Sequence, residues 1–355
     1  MAIYLDDSQR DALRHRRRSL TWRTEWPTWL VIGAIYGGWF SVASHARMLG
    51  LGIALPLLVL FSAWYMSLQH ELLHGHPTRF PLINALIGFA PLAAWFPYRV
   101  YRDLHLQHHD DPHLTHPDID PESYFVTRDA WREAGTLTRM LLIARNTFAG
   151  RLLLGPAFSI AATATQALRK PMHGDWSDVP AWFAHLAALT ALIVWLDRAC
   201  GIAPWLFFAG VAYPALALSA VRSFHEHRAA ASHPERSVIN EAAWFWRLLF
   251  LNNNYHAVHH DLPGVPWYAL RDVYRARRGD YLARNGGFIV RGYFDGCGGM
   301  RFGPWRMQCI LSRTISTDMR QARWPHPRFR RSRANRRTTQ TRSASQADPP
   351  LESHA

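Results

Sequence analysis

The chain has 355 residues, a formal net charge of +14 carried almost wholly by Arg, 49% hydrophobic content and 16 Trp. Its length would allow two soluble domains, but the apolar residues are gathered into uncharged blocks, which argues against that arrangement, and the three cysteines Cys200, Cys297 and Cys309 have neither CxxC spacing nor an even number, which excludes a disulfide scaffold or thiolate metal site. Charge alone would suit nucleic acid, but no recognised fold motif accompanies it, and no nucleic-acid partner is expected.

Residues 1–26 are polar and basic, with Arg14, Arg16, Arg17, Arg18 and Arg23, and read as a cytoplasmic segment facing anionic lipid. The apolar block that follows is longer than a signal-peptide core and predicts a span, not a cleaved leader. Pro27–Ser44, Met48–Gln69, Pro180–Leu196 and Ala199–Val221 hold no Asp, Glu, Lys or Arg. Each is near the ~20 residues that cross a bilayer as a helix, and together they favour spans over buried helices of a soluble core. The loops within each pair carry little charge, whereas both ends and the middle loop hold the Arg excess. The positive-inside rule then gives two helical hairpins with both termini cytoplasmic, in a multi-pass protein placed in a bacterial inner membrane.

Two further uncharged stretches, Phe80–Tyr98 and Leu152–Leu168, complicate that count. If either crossed, the histidine clusters described next would lie on opposite faces of the membrane. Both are therefore expected to lie in the interface or re-enter. The expected organisation is a basic segment 1–26, a membrane domain 27–319 and a basic, disordered tail 320–355 rich in Arg, Ser, Thr and Pro.

Three histidine clusters sit at the edges of the apolar blocks: His70-Glu71-Leu72-Leu73-His74, His105-Leu106-Gln107-His108-His109 and His256-Ala257-Val258-His259-His260. Residues three or four apart share one face of a helix, and imidazole is a strong ligand for iron, zinc and copper. The H-x-x-H-H spacing occurs twice, each time followed by Asp and then Pro within three residues, which makes the pair more specific than either copy. The clusters read as one polynuclear metal site at a membrane surface. His76, His113 and His116 are either groups orienting the ligands or solvated loop residues. His45 and His185 read as structural. Glu71, Asp118, Asp120, Glu122, Glu226 and Asp261 could accept the free N–H of ligand imidazoles, with turn or capping roles as the alternative for Asp118 and Asp120.

The three boxes, their order and their placement resemble the membrane fatty acid desaturase and hydroxylase superfamily over roughly residues 29–281. The segments Pro117-Asp118-Ile119-Asp120-Pro121-Glu122-Ser123, Phe224-His225-Glu226-His227-Arg228 and Asn252-Asn253-Asn254-Tyr255-His256 are similar to that superfamily as well. The resemblance implies an all-α integral membrane fold, four transmembrane helices in two hairpins beneath a cytoplasmic helical cap, and two non-haem irons as cofactor. Carried over by position, the metal ligands are His70, His74, His105, His108, His109, His227, His256, His259 and His260, with Asn252 acting through water and no catalytic group beyond the metal centre. His227 is preferred to His225 because the family-like Glu-His pair places the ligand after the glutamate.

The activity implied is O2-dependent desaturation of an acyl chain of a fatty acid or lipid. The alternatives are a lipid or carotenoid hydroxylase or ketolase of the same superfamily, or an intramembrane HExxH zinc metalloprotease with Glu71 as base. A ferritin-like site lacks its second Glu-x-x-His motif. A metal transporter would place histidines along a path, not at membrane ends. No fused haem, iron–sulfur or dinucleotide motif is present. Electrons are thus expected from an external ferredoxin- or cytochrome-type donor docking on the basic cytoplasmic face. Trp64, Tyr65, Trp95 and Phe96 are expected near the walls of an apolar substrate tunnel.

Overall fold

The computed structural model describes residues 2–110 and 112–293. The predicted tail 320–355, the end of the domain expected to run to 319, Cys297 and Cys309 lie outside the described residues.

The described chain is mostly helical. After α1 (Asp7–Arg16), capped by the Asp6 carboxylate accepting from Gln9 N at 2.8 Å, α2 (Trp26–Ser44) and α3 (Leu51–Leu73) form the first hairpin. Gly50, at φ +76 and ψ +146, makes the turn into α3, a conformation in which a side chain would be strained. The second hairpin is α8 (Val179–Cys200) and α9 (Pro204–Glu226), joined through Gly201 at φ +75. Trp39 ties α2 to α3 through its indole N–H on Ser62 Oγ at 3.0 Å. The Phe40–Trp195 and Trp39–Phe207 ring contacts, at 5.6 and 6.5 Å, tie the hairpins together. Leu30, Ile53, Phe183, Leu186 and Trp205 are left exposed on the outside, as a lipid-facing surface requires.

Three helices, α3, α8 and α9, are long and apolar enough to cross a membrane. The fourth expected span, α2, has 19 residues, with Trp, Tyr and Gly diluting its aliphatic content. The expected boundaries shift by a few residues, most at α9, which runs Pro204–Glu226 against the expected Ala199–Val221, and α3 continues past Gln69 to Leu73.

The Phe80–Tyr98 stretch contains only the eight-residue α4 (Pro81–Gly88) before turning irregular. Such a helix rises about 12 Å, too short to cross. The irregular backbone after it leaves carbonyls that no helix satisfies, and a buried carbonyl needs a donor. The neighbouring helices supply donors: Tyr65 Oη reaches Gly88 O at 2.6 Å and Ala90 O at 2.7 Å, Gln69 Nε2 reaches Gly88 O at 2.8 Å, and His185 Nε2 meets Ala94 O at 2.7 Å. His185 is thereby structural, as expected, and His45 likewise only bonds its own helix at Ser41 O.

Beyond α5 (Tyr98–Asp110) and α6 (Thr136–Arg145) comes α7 (Phe148–Met172), which packs along α9. The stretch expected as interfacial or re-entrant, Leu152–Leu168, lies wholly inside this continuous 25-residue helix. Re-entry is therefore corrected: Gly155-Pro156 does not break the helix, which runs on through Pro156, its ninth residue, packed against α9. The chain continues through α10 (Trp244–Leu249), α11 (His256–Asp261) and α12 (Trp267–Ala276). One departure from an all-α fold is a parallel pair of two-residue strands, β1 (Ile239–Asn240) and β2 (Ile289–Val290).

Replacing Tyr65 with Phe should remove one hydrogen bond from each of the Gly88 and Ala90 carbonyls, leaving them to Gln69 Nε2 and Leu92 N. We expect a loss of about 1–3 kcal/mol in stability, read as a lower thermal unfolding midpoint in detergent with metal content unchanged.

Candidate metal centre

Each histidine box is delivered by a helix end. His70 lies in the last turn of α3 and His74 caps it. His105, His108 and His109 occupy the last turns of α5, and His256, His259 and His260 lie on α11. His227 follows the last residue of α9, where the chain turns extended at φ −130. The third box is held in register by backbone bonds to the segment before it, Ala257 N to Val238 O at 2.9 Å and Asn240 N to Asn254 O at 2.8 Å.

All nine imidazoles converge, in two adjoining groups. His70, His74, His105, His109 and His259 form one; His108, His227, His256 and His260 form the other; within each, candidate ligand atoms lie within 4.8 Å of one another. The two H-x-x-H-H boxes divide in opposite senses. The i and i+4 residues His105 and His109 enter the first group while His108 enters the second; His256 and His260 enter the second while His259 enters the first. Stacked rings of His109 and His260, 4.3 Å apart, join the groups.

The ring protons have defined places. His105 Nδ1 donates to Glu122 Oε1 and His108 Nδ1 to Asp120 Oδ1, both at 2.7 Å. His256 Nδ1 donates to Asn253 Oδ1 at 3.2 Å; Asn253 Nδ2 donates to Glu226 Oε1 at 3.1 Å, and Arg222 Nε holds that oxygen at 2.8 Å. A proton on Nδ1 leaves Nε2 a bare lone pair. The Nε2 atoms of neighbouring rings face each other: His227 to His256 and His256 to His260 at 3.0 Å, His109 to His259 at 3.1 Å, His108 to His227 at 3.2 Å. The Nε2 atoms of His70, His74 and His105 are buried without a hydrogen-bond partner. Opposed lone pairs repel unless a cation lies between them. Imidazoles about 2.1 Å from one ion stand about 3.0 Å apart at right angles and about 3.4 Å apart at the tetrahedral angle. The observed separations fit right-angled coordination, so the donor set fits metal ions.

Burial holds His74, His109, His256, His259 and His260 well below the usual imidazole range, and His227 at about 3, in each case helped by neighbouring imidazoles. These rings are neutral at pH 7, as metal ligation requires. Burial would raise Asp120 and Glu122, but the bonded histidines hold both below the usual carboxylate range, ionised.

Asn252 is buried, donates Nδ2 to Trp267 O at 2.9 Å and leaves Oδ1 without a partner. His225 lies outside both groups, against the Phe224 and Tyr293 rings. Of the other singled-out residues, His76 bonds Glu25 at 2.5 Å, His116 accepts from Asp118 N, and Asp261 pairs with Arg284, so none of them orients a box histidine. Asn253, Arg222 and the Glu25–His76 pair were not singled out. Asn253 beside the third box was the readable signal; the others depend on tertiary packing.

A cavity of about 340 Å³ adjoins the second group, lined by His227, Glu122, Glu226, Tyr101 and Phe96 among others. Of the expected tunnel residues only Phe96 lines it. Tyr65 and Trp95 are instead engaged with backbone carbonyls, and Trp64 packs against Phe61, because the irregular segment below α4 takes up that face.

Apolar helices carrying a paired histidine centre at their ends define a membrane metalloenzyme class. A family model described as fatty acid desaturase matches residues 46–292, and the chain belongs to that family of membrane oxidoreductases. No curated protein matches the chain.

His259→Ala and His108→Ala remove one donor from different groups. Each should lower metal content and abolish activity while leaving membrane insertion intact. Glu122→Gln should weaken metal retention by about 10–100-fold, read by chelator competition. For metal-free protein, the depressed histidines stay neutral when folded, while the unfolded chain takes up protons below about pH 6.5. The unfolded state then binds more protons, so stability should fall as pH drops below that value, measurable as rising protease sensitivity of the cap.

Proposed function

We propose that the chain is an O2-dependent di-iron oxidoreductase that desaturates an acyl chain of a fatty acid or lipid, using an external ferredoxin- or cytochrome-type donor. The observation that carries this reading is the pair of histidine groups abutting a largely apolar cavity. The ligands are the nine histidines named above, with Asn252 through water. Bound irons would supply O2 activation and removal of hydrogen from an unactivated C–H bond. The protein's own part is positional. Asp120, Glu122 and Asn253 hold ring protons on Nδ1 and keep Nε2 aimed inward, while Tyr101, Phe96 and Leu216 would hold a methylene against the His227 side and exclude water.

In the topology that suits this chemistry, α2 is the fourth span and both termini are cytoplasmic. Every box then follows an even number of crossings, with α7 lying in the interface. Two adjoining histidine groups favour a pair of ions over the single zinc of a metalloprotease. The metalloprotease alternative is further weakened because Glu71, its general base, has Oε2 accepting from Trp267 N at 3.0 Å.

The deciding measurement is metal content of detergent-purified protein, by elemental analysis and Mössbauer spectroscopy. About two irons per chain, one per histidine group, with unsaturated lipid products in expressing cells, is the expected result. Hydroxylated products would move the reading to the hydroxylase branch, and one zinc without iron would move it to the protease.

A further inference from the structure

The cavity has a second end, away from the histidines. It lies between α6, α7 and the segment carrying Tyr124. Six charged side chains line the cavity: Asp120, Glu122, Glu226, Arg145, Arg151 and Arg222. Four of them are matched. Asp120 holds His108, Glu122 holds His105, and Glu226 pairs with Arg222 at 2.8 Å. Arg145 and Arg151 remain, and no ion pair among the described residues includes either.

Arg151 is 5% exposed, yet its Nε and Nη1 are buried without a hydrogen-bond partner. Its guanidinium carbon lies 3.7 Å from the Tyr124 ring centroid and 5.5 Å from that of Phe224. Arg145 Nη2 donates to Tyr124 O at 2.6 Å, its Nε has no partner, and its guanidinium lies 5.3 Å from the Phe158 centroid. Burial, and then repulsion by Arg151, push Arg145 down to about 10. Rings engage the flat face of a guanidinium; Tyr124 also hydrogen-bonds Arg151, and Arg151 Nε and Nη1 with Arg145 Nε remain as in-plane donors, the edge that matches a carboxylate or phosphate. A buried charge without a partner is costly unless a counter-ion joins it.

We infer that Arg145 and Arg151 bind the oxyanion head group, carboxylate or phosphate, of the substrate, with its apolar part following Phe96, Val100 and Leu216 toward His227. Calling this occupant the substrate rests on the reading of the cavity as the acyl site; the oxyanion site itself rests on the two arginines.

The test is equilibrium binding of radiolabelled palmitate to the metal-loaded full chain in neutral detergent. Methyl palmitate and inorganic phosphate serve as competitors, and iron is measured on the same samples. Palmitate should bind at least about ten-fold more tightly than its neutral ester, as charge-assisted hydrogen bonds allow. Arg151→Met should erase that preference and Arg151→Lys should restore part of it. Competition by phosphate assigns a site that also takes phosphorylated head groups; no competition, with the acid-over-ester preference intact, assigns a carboxylate. Equal binding of acid and ester by the unaltered chain overturns the inference. So does a preference undiminished in both Arg151→Met and Arg145→Met, and if Arg151→Met does not fold, Arg145→Met and Arg151→Lys carry the comparison. A preference for palmitate in protein that holds no iron upholds the oxyanion site and removes the di-iron reading, whereas iron without the preference does the reverse.

Discussion

The convergence of nine imidazoles on two adjoining groups is the constraint on which the rest of the molecule depends. Nitrogens about 3 Å apart with no proton between them do not attract. They can be held so only where each ring is oriented from behind and a cation is accommodated in front. The rear support is visible as Glu122 on His105, Asp120 on His108, and the Arg222–Glu226–Asn253 chain on His256. Such partners fix tautomer and direction together. Glu122 and Asp120 share one turn after the second box, with Glu122 N also donating to Asp120 Oδ1 at 2.9 Å, so a single loop conformation aims two ligands into two different groups.

That requirement governs the membrane part as well. Histidines from α3, α5, the end of α9 and α11 can meet only if those ends lie at one level. The chain between the first and second boxes must therefore turn back without crossing. It does so through α4 and an irregular stretch embedded beside the spans, which is tolerable in an apolar surround only when its backbone is satisfied from outside. Tyr65, Gln69 and His185 perform that task. Polar residues that hydropathy would count against a span are thus what allow the span's neighbour to be irregular. Gln69 stands one residue before the ligand His70 on α3, so packing of the irregular segment and placement of the first box are set by the same turn of helix.

Much of this was legible from spacing. Repeated H-x-x-H-H signals a helical face of donors whatever the fold, and parity alone required that Phe80–Tyr98 not cross. Legibility stopped where the answer depends on which way neighbouring helices face. The split of the second and third boxes between two groups depends on how α5 and α11 face each other, which no local pattern encodes. The continuity of α7 through Gly155-Pro156 is a case where breaker residues suggested more than they did, since Pro156 lies within the first three turns and its helix is supported along its length by α9. Tyr65 and Trp95 were assigned to a tunnel on aromatic character alone, which cannot distinguish a wall residue from a hydrogen-bond donor to buried backbone.

The charge arrangement around the cavity follows from the same centre. Carboxylates are needed behind the histidines, and a buried carboxylate is itself tenable only beside a donor or cation. Asp120 and Glu122 are balanced by the rings they hold, and Glu226 by Arg222, so the acids required by the metal site are used up locally. Arg145 and Arg151 lie on the other wall with no acid left for them, and bound metal cations would make the cavity more positive still. A cavity of that sign beside the histidine groups favours a ligand that brings its own negative charge. It also fixes the ligand's direction, with the charged end at the arginines and the apolar end at the histidines.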